Sequence, residues 1–260
     1  MDKFDIILRT CGRVNCFSGR PRCVTAVKEE VILRSASSLI SSIIFAQDVL
    51  ADYEMSLTVI DDNSDPTTTA GIKNLLNLLD IEARFIRLEG TGFGVSLAAT
   101  YDYALANCED MVYIVEDDYL HHVHCIHEMA VLAKQLKTNN LDNFVLHPCD
   151  YPDRYREDIP AKILLGPSRH WRTINKTTVT FALPIKTLKY NIENFKAMTG
   201  YGVVAGVNED TSINKVYETV PCLSPMPTLA VHMQYEETIS PYVNWRDWWD
   251  DCAPLERIEG

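Results

Sequence analysis

The sequence predicts an α/β protein built on a mostly parallel sheet, and three observations support this. From Phe4 to Asp118, short apolar runs alternate with amphipathic stretches in the order strand, helix, strand, helix, strand, helix, strand. Three of the apolar runs end in chemically loaded residues, at Thr10 to Arg13, Asp61 to Asp65 and Glu116 to Asp118. Ligands of such sheets collect outside the carboxyl ends of the strands. The chain has 260 residues, 47% of them hydrophobic, which suffices for one sizeable core.

Each element has a local reason. "FDIILRT" (Phe4 to Thr10) is a short apolar run closed by polar and glycine residues, as a buried strand is. From Val31 to Leu50, apolar residues recur three and four apart, which predicts a helix. "MSLTVIDDNSDP" is a second strand closed by a turn rich in Asp, Asn, Ser and Pro. Helical "AGIKNLLNLLD" leads to the strand "ARFIRLE" and the glycine-bearing loop "EGTGFGVS". "LAATYDYALANC" is helical, and "MVYIVEDD" is the fourth strand. Beyond it, "HHVHCIHEMAVLAKQLK" reads as a helix and "NFVLHPCDYP" as a strand broken by prolines.

Composition narrows the function classes. A net charge of −12 argues against indiscriminate binding to nucleic acid or anionic membrane. "MDKFDIILRTCGR" lacks the layout of a secretory signal, and no segment holds about 18 uninterrupted apolar residues, so a soluble, cytoplasmic protein is expected. Eight cysteines without a C-x-x-C pair suit a reducing compartment and small buried roles. A zinc module from Cys11, Cys16 and Cys23 would use a spacing that fits no standard pattern.

Four constellations carry candidate chemistry. Asp61 and Asp62 can accept hydrogen bonds from a base or ribose, although a solvated turn favours the same residues. Glu116, Asp117 and Asp118 emerge together from a strand and must repel one another unless something positive sits among them. A hard divalent cation shared with a diphosphate would do this, and a capped helix N-terminus is the bland alternative. Glu209 and Asp210 follow a glycine-rich approach and offer a general base, or a helix-terminal charge. His232 follows an apolar run, where a ligand and a satisfied core histidine are both possible. His121, His124 and His127 lie three apart, as on one helix face, but without a fourth zinc ligand. Between Ile159 and Ile192 there is no acid, while six basic residues include Lys162, Arg169, Arg172 and Lys176. With Trp171 and His170 among them, they resemble a groove for a polyanion, or simply offset the acidic remainder.

In order, the quoted motifs "RTCGR", "DDNSD", "GTGFGVSLAATYDYA", "EDD", "NED" and the final histidine resemble GT-A nucleotide-sugar glycosyltransferases, from about Asp5 to about Tyr235. The resemblance implies a Rossmann-like mostly parallel sheet flanked by helices, with a smaller acceptor-side region, in one domain over residues 1–260. Residues 1–120 would be the nucleotide-sugar half and residues 121–260 the acceptor half. By position, Thr10, Arg13, Asp61 and Asp62 would hold base and ribose, and Gly92 and Gly94 would let backbone approach the donor. Asp118 would bind Mn²⁺ or Mg²⁺, completed by His232, with Asp117 beside it and Glu116 nearer the ribose. Asp210, or Glu209 beside it, would deprotonate the acceptor hydroxyl. The triplet departs from the family's D-x-D by opening with Glu. "RHWR" only vaguely matches the Q-x-x-R-W of processive polymerases, and that role is not carried over.

The expected reaction is inverting transfer from a nucleotide-diphosphate sugar, with UDP as the expected nucleotide. Arg169, Trp171, Arg172 and Lys176 would contact the acceptor or a phosphate. The acceptor classes are a glycan, a lipid-linked sugar, a protein, or a phosphate-bearing acceptor such as a hydroxymethylated base in viral DNA. Two other readings remain open: a sugar nucleotidyltransferase, and a non-catalytic nucleic-acid or zinc-binding module.

Overall fold

A computed structural model of the protein describes residues 1–14, 20–240 and 242–252. Four parallel strands form its first half: β1 (Asp2–Thr10), β2 (Tyr53–Asp61), β3 (Glu82–Arg87) and β4 (Met111–Glu116). They are joined by α1 (Lys28–Val49), α2 (Pro66–Leu76) and α3 (Phe93–Asn107). A short strand β5 (Tyr119–His121) precedes α4 (Cys125–Thr138). Strands β6 (Val145–Leu146), β7 (Ile163–Leu165), β8 (His170–Ile174) and β9 (Phe181–Pro184) follow, then helices α5 (Ile185–Tyr190) and α6 (Ile192–Ala197). Strands β10 (Cys222–Met226) and β11 (Ala230–His232) and helix α7 (Trp245–Asp251) complete the described order.

The central sheet runs β3-β2-β1-β4-β9-β6-β10-β8-β7, and only β9 and β8 oppose the common direction. That is the mostly parallel sheet the alternating pattern predicts. Two apolar layers cover it. Leu39, Ile43, Met129 and Leu132 from α1 and α4 bury one face, and Leu97, Tyr101, Leu188 and Phe195 from α3, α5 and α6 bury the other.

Helix α1 illustrates how periodicity yields to tertiary demands. Its apolar stripe holds Val31, Ile32, Leu39, Ile40 and Ile43, and two acids, Glu29 and Glu30, sit in its positive first turn. It also buries serines, two of which serve neighbouring backbone. Ser38 Oγ accepts from His121 N at 3.0 Å, and Ser42 Oγ accepts from Ile126 N at 2.9 Å. Both N–H groups would otherwise be buried without a partner. Asp65 caps α2 by accepting from Thr67 N and Thr68 N, with Pro66 in the first helical turn.

Two boundaries differ from the sequence reading. Helix α3 starts at Phe93, directly after Gly92 at φ +113°, not at Leu97. His121 is not helical. It ends β5, which pairs antiparallel with β11 through Tyr119↔His232, Leu120↔Val231 and His121↔Ala230, a pairing over more than a hundred residues that local spacing cannot reveal.

Two buried histidines tie stability to pH. Burial pushes His121 and His147 down to about 3, and His147 is fully enclosed with Nδ1 against Thr180 O at 2.8 Å. Their folded values lie below the unfolded value, so the stability they contribute is present above about pH 6.5 and is lost as pH falls toward 3. Replacing His147 with Gln is expected to flatten the dependence of unfolding free energy on pH between 6 and 4 by about 1.4 kcal/mol per pH unit, read by urea titration.

Candidate active site

Register sets the site. Pairing of Arg9 with Glu116, and of Thr10 with Asp61, brings the carboxyl ends of β1, β2 and β4 level. Past these ends lies a cleft of about 510 Å³.

Each member of the acidic triplet meets a different cation. Arg9 Nη2 donates to Glu116 Oε1 at 2.6 Å, Lys28 Nζ to Asp117 Oδ1 at 2.6 Å, and Arg22 Nη1 to Asp118 Oδ2 at 2.9 Å. Asp117 Oδ2 also accepts from Cys11 N at 2.7 Å. The repulsion within the triplet is therefore answered by side chains of the protein itself. Burial raises Glu116, and Arg9 works against it. Burial also works to raise Asp118, but His232, Lys28 and Arg22 together hold it well below the usual carboxylate range.

The β5–β11 pairing delivers His232. Its Nε2 lies 3.4 Å from Asp118 Oδ1, its ring stacks on Tyr119 at 4.5 Å, and its Nδ1 lies 3.3 Å from Tyr151 Oη. Burial works to lower His232, but Asp118 raises it above its ordinary value. A hard carboxylate oxygen and an imidazole nitrogen at this spacing, lining one cleft, would suit two protein ligands of Mn²⁺ or Mg²⁺. Among the described residues no group of three or more His, Cys, Asp or Glu is arranged to hold a metal ion.

The β2 side of the cleft is equally knit. Asp62 accepts from Arg13 Nη2 at 2.7 Å and from Gly92 N at 2.8 Å, and Gly12 N donates to Ser64 Oγ at 2.8 Å. Thr10, Arg13, Asp62 and Gly92 line the cleft. Asp61 does not line it: fully buried, it accepts from Thr10 Oγ1 and Ser64 N and pins the two strand ends together. Gly94 is also off the cleft; it packs against backbone, where a Cβ would meet Thr199 O at 2.2 Å.

On the opposite wall stand Thr178, Met198, Tyr201 and Glu209. Glu209 lines the cleft, whereas Asp210, the first of the two expected bases, is exposed and accepts from Asn214 Nδ2 at 2.8 Å.

The basic island is not a groove. Trp171 is fully buried beneath the sheet edge, and Arg172 is ion-paired with the buried Asp150 and lies over the Tyr155 ring at 4.4 Å. Arg169 Nη1 donates to Pro227 O at 2.9 Å, and the exposed Lys176 lies away from the cleft. All four were expected to contact acceptor or phosphate; the guanidinium groups of Arg169 and Arg172 are instead engaged by carbonyls and carboxylates of the same region. The histidine set disperses too. His121 is bound to Tyr113 Oη at 2.9 Å, and His124 and His127 pack on Phe45 at 4.5 and 5.8 Å. Cys11 and Cys23 are free thiols, and Cys16 lies outside the described residues.

Residue patterns did not reveal Arg9, Arg22, Lys28, Phe93 or Tyr201. Arg9 stands on the ring of Phe93 at 4.8 Å, and Phe93 meets Tyr201 at 5.7 Å. A basic residue inside an apolar strand was the one available signal, at Arg9. The other cations lie 89 and 96 residues from their acids.

No protein-family model and no curated protein matches the chain in sequence. Among solved structures it is similar to TarS of S. aureus, at TM-score 0.51 and 16% identity over 92% of this chain and 37% of that one. It is also similar to GalNAc-T7 with UDP, GalNAc and Mn²⁺, at TM-score 0.54 and 10% identity over 91% of this chain and 45% of that one. The mannosyltransferase PcManGT from Pyrobaculum calidifontis, in complex with GDP-Man and Mn²⁺, matches at TM-score 0.50 and 14% identity over 94% of this chain and 59% of that one. The chain thus has the GT-A glycosyltransferase fold and spans between 37% and 59% of the length of these neighbours.

Gly94 supplies a direct test of the packing behind the cleft. Gly94→Ala is expected to cost about 1–3 kcal/mol of stability, read as a lowered melting temperature, since its methyl must displace Thr199 backbone.

Proposed function

We propose that the cleft transfers a sugar from a nucleotide-diphosphate donor to an acceptor hydroxyl. One observation carries this reading: the acidic triplet with its cations and the carboxylate of Glu209 line the same cleft. Asp62 and Arg13 hold the base, and Thr10 and Gly92 fix the turn around it. Glu116, locked to Arg9, borders the ribose. Asp118 and His232 hold Mn²⁺ or Mg²⁺, which when bound neutralises charge on the departing diphosphate. UDP and GDP-Man in the neighbouring structures support a nucleotide-sugar donor, with UDP our first choice.

Glu209 is the candidate base. Its carboxylate accepts the proton of the acceptor hydroxyl as that oxygen attacks the anomeric carbon from the face opposite the diphosphate, inverting the centre. The nucleotide-sugar half is residues 1–120, and the acceptor half enters through Thr178, Tyr201 and Glu209. Trp171 and Arg172 are enclosed, so any contact of the basic island with a polyanionic acceptor such as DNA would fall to its exposed lysines, Lys162 and Lys176 among them. Among the described residues no helix is long and apolar enough to cross a membrane.

Glu209→Gln is expected to lower kcat by about 10²-fold or more while leaving donor affinity within a factor of about two, and Asp210→Asn is expected to change kcat little. Transfer from a panel of nucleotide sugars, followed by mass spectrometry, reads both. NMR of the product's anomeric proton reads the inversion. Equal losses in the two variants would remove Glu209 from the role of base.

A further inference from the structure

Arg22 and Lys28, like Arg9, line the place a ligand would occupy while almost sealed from water. Their side chains are 4% and 9% exposed. Arg22 binds Asp118 at 2.9 Å and Met233 O at 3.0 Å, and Lys28 binds Asp117 at 2.6 Å. Arg9 differs. Held by Glu116, by Ser96 Oγ at 3.2 Å and over Phe93, it belongs to the strand wall.

The charges lining the cleft nearly balance: Arg9, Arg13, Arg22 and Lys28 face Asp62, Glu116, Asp117, Asp118 and Glu209. A divalent cation arriving alone at Asp118 meets Arg22 already on the same carboxylate, and like charges at that range repel. A diphosphate arriving alone meets acids whose cations are occupied. Arriving together, they let each group find an opposite: the metal takes the carboxylate, and the displaced ammonium and guanidinium take phosphate oxygens, which a fork of guanidinium donors suits.

We infer that Arg22 and Lys28 are resident counter-ions of Asp118 and Asp117 that pass to the donor's diphosphate when metal and nucleotide bind. The inference rests on the transferase reading of the cleft. It makes metal and nucleotide binding strongly cooperative, with free metal bound weakly.

The test compares wild type, Arg22→Gln and Lys28→Met. Mn²⁺ binding without nucleotide is followed by electron paramagnetic resonance, and UDP binding at saturating Mn²⁺ by calorimetry. Expected are Mn²⁺ binding about tenfold tighter and UDP binding about tenfold weaker in each variant. A merely structural lesion weakens both, so the opposite signs are diagnostic. Should Arg22→Gln not fold, Lys28→Met decides. Wild type supplies a further check: UDP must raise Mn²⁺ affinity at least about tenfold. Mn²⁺ binding unchanged or weaker in both variants, or independent of UDP in wild type, overturns the inference and leaves the transferase reading standing. Wild type that binds no UDP, GDP or sugar nucleotide at any Mn²⁺ concentration sinks the transferase reading itself and the inference with it.

Discussion

Three consecutive carboxylates at the end of β4 are the constraint around which the rest of the site is arranged. Removing one unpaired carboxylate from water is costly, and here Asp117 and Asp118 are buried beside a partly buried Glu116. The fold answers with a cation for each, drawn from three places: β1 for Glu116, the start of α1 for Asp117, and the segment before α1 for Asp118. The β5–β11 pairing adds His232 from the far end of the chain. Elements distant in sequence are thereby pulled to one point, and a cleft with concentrated, balanced charge results.

That concentration suits a ligand that is itself highly charged but carries its own counter-ion. Phe93, Met198 and Tyr201 line the same cleft as the acids, so it offers charged and apolar groups in one volume. The proposed transfer would use both: charge where a leaving group departs, and the carboxylate of Glu209 where a neutral hydroxyl approaches. The Rossmann-like frame makes this possible because its parallel strands deliver their carboxyl ends along one edge.

Much of this was legible in residue order. The alternation of apolar runs foretold the parallel half-sheet, and the loaded ends of β1, β2 and β4 foretold where the cleft lies. What pattern could not supply was partnership. Asp61 and Asp62 look alike in sequence, yet one ties two strand ends together inside the core and the other faces the cleft. Trp171 and Arg172 look like a basic groove, yet Asp150 and the sheet claim them. The positive partner expected for the triplet was a metal; residue order offers no hint that Arg22 and Lys28, far upstream, pair with these acids. Such pairings depend on topology, and a one-residue shift in β1 would undo them.

The account turns on whether a nucleotide's diphosphate sits between the triplet and these cations. A crystal structure grown with UDP and Mn²⁺ tests this most directly. We expect the metal on Asp118, the diphosphate within hydrogen-bond reach of Arg22 and Lys28, and the base against Asp62. A nucleotide bound elsewhere, or a triplet still wholly paired with Arg9, Lys28 and Arg22 while UDP is bound, would contradict it.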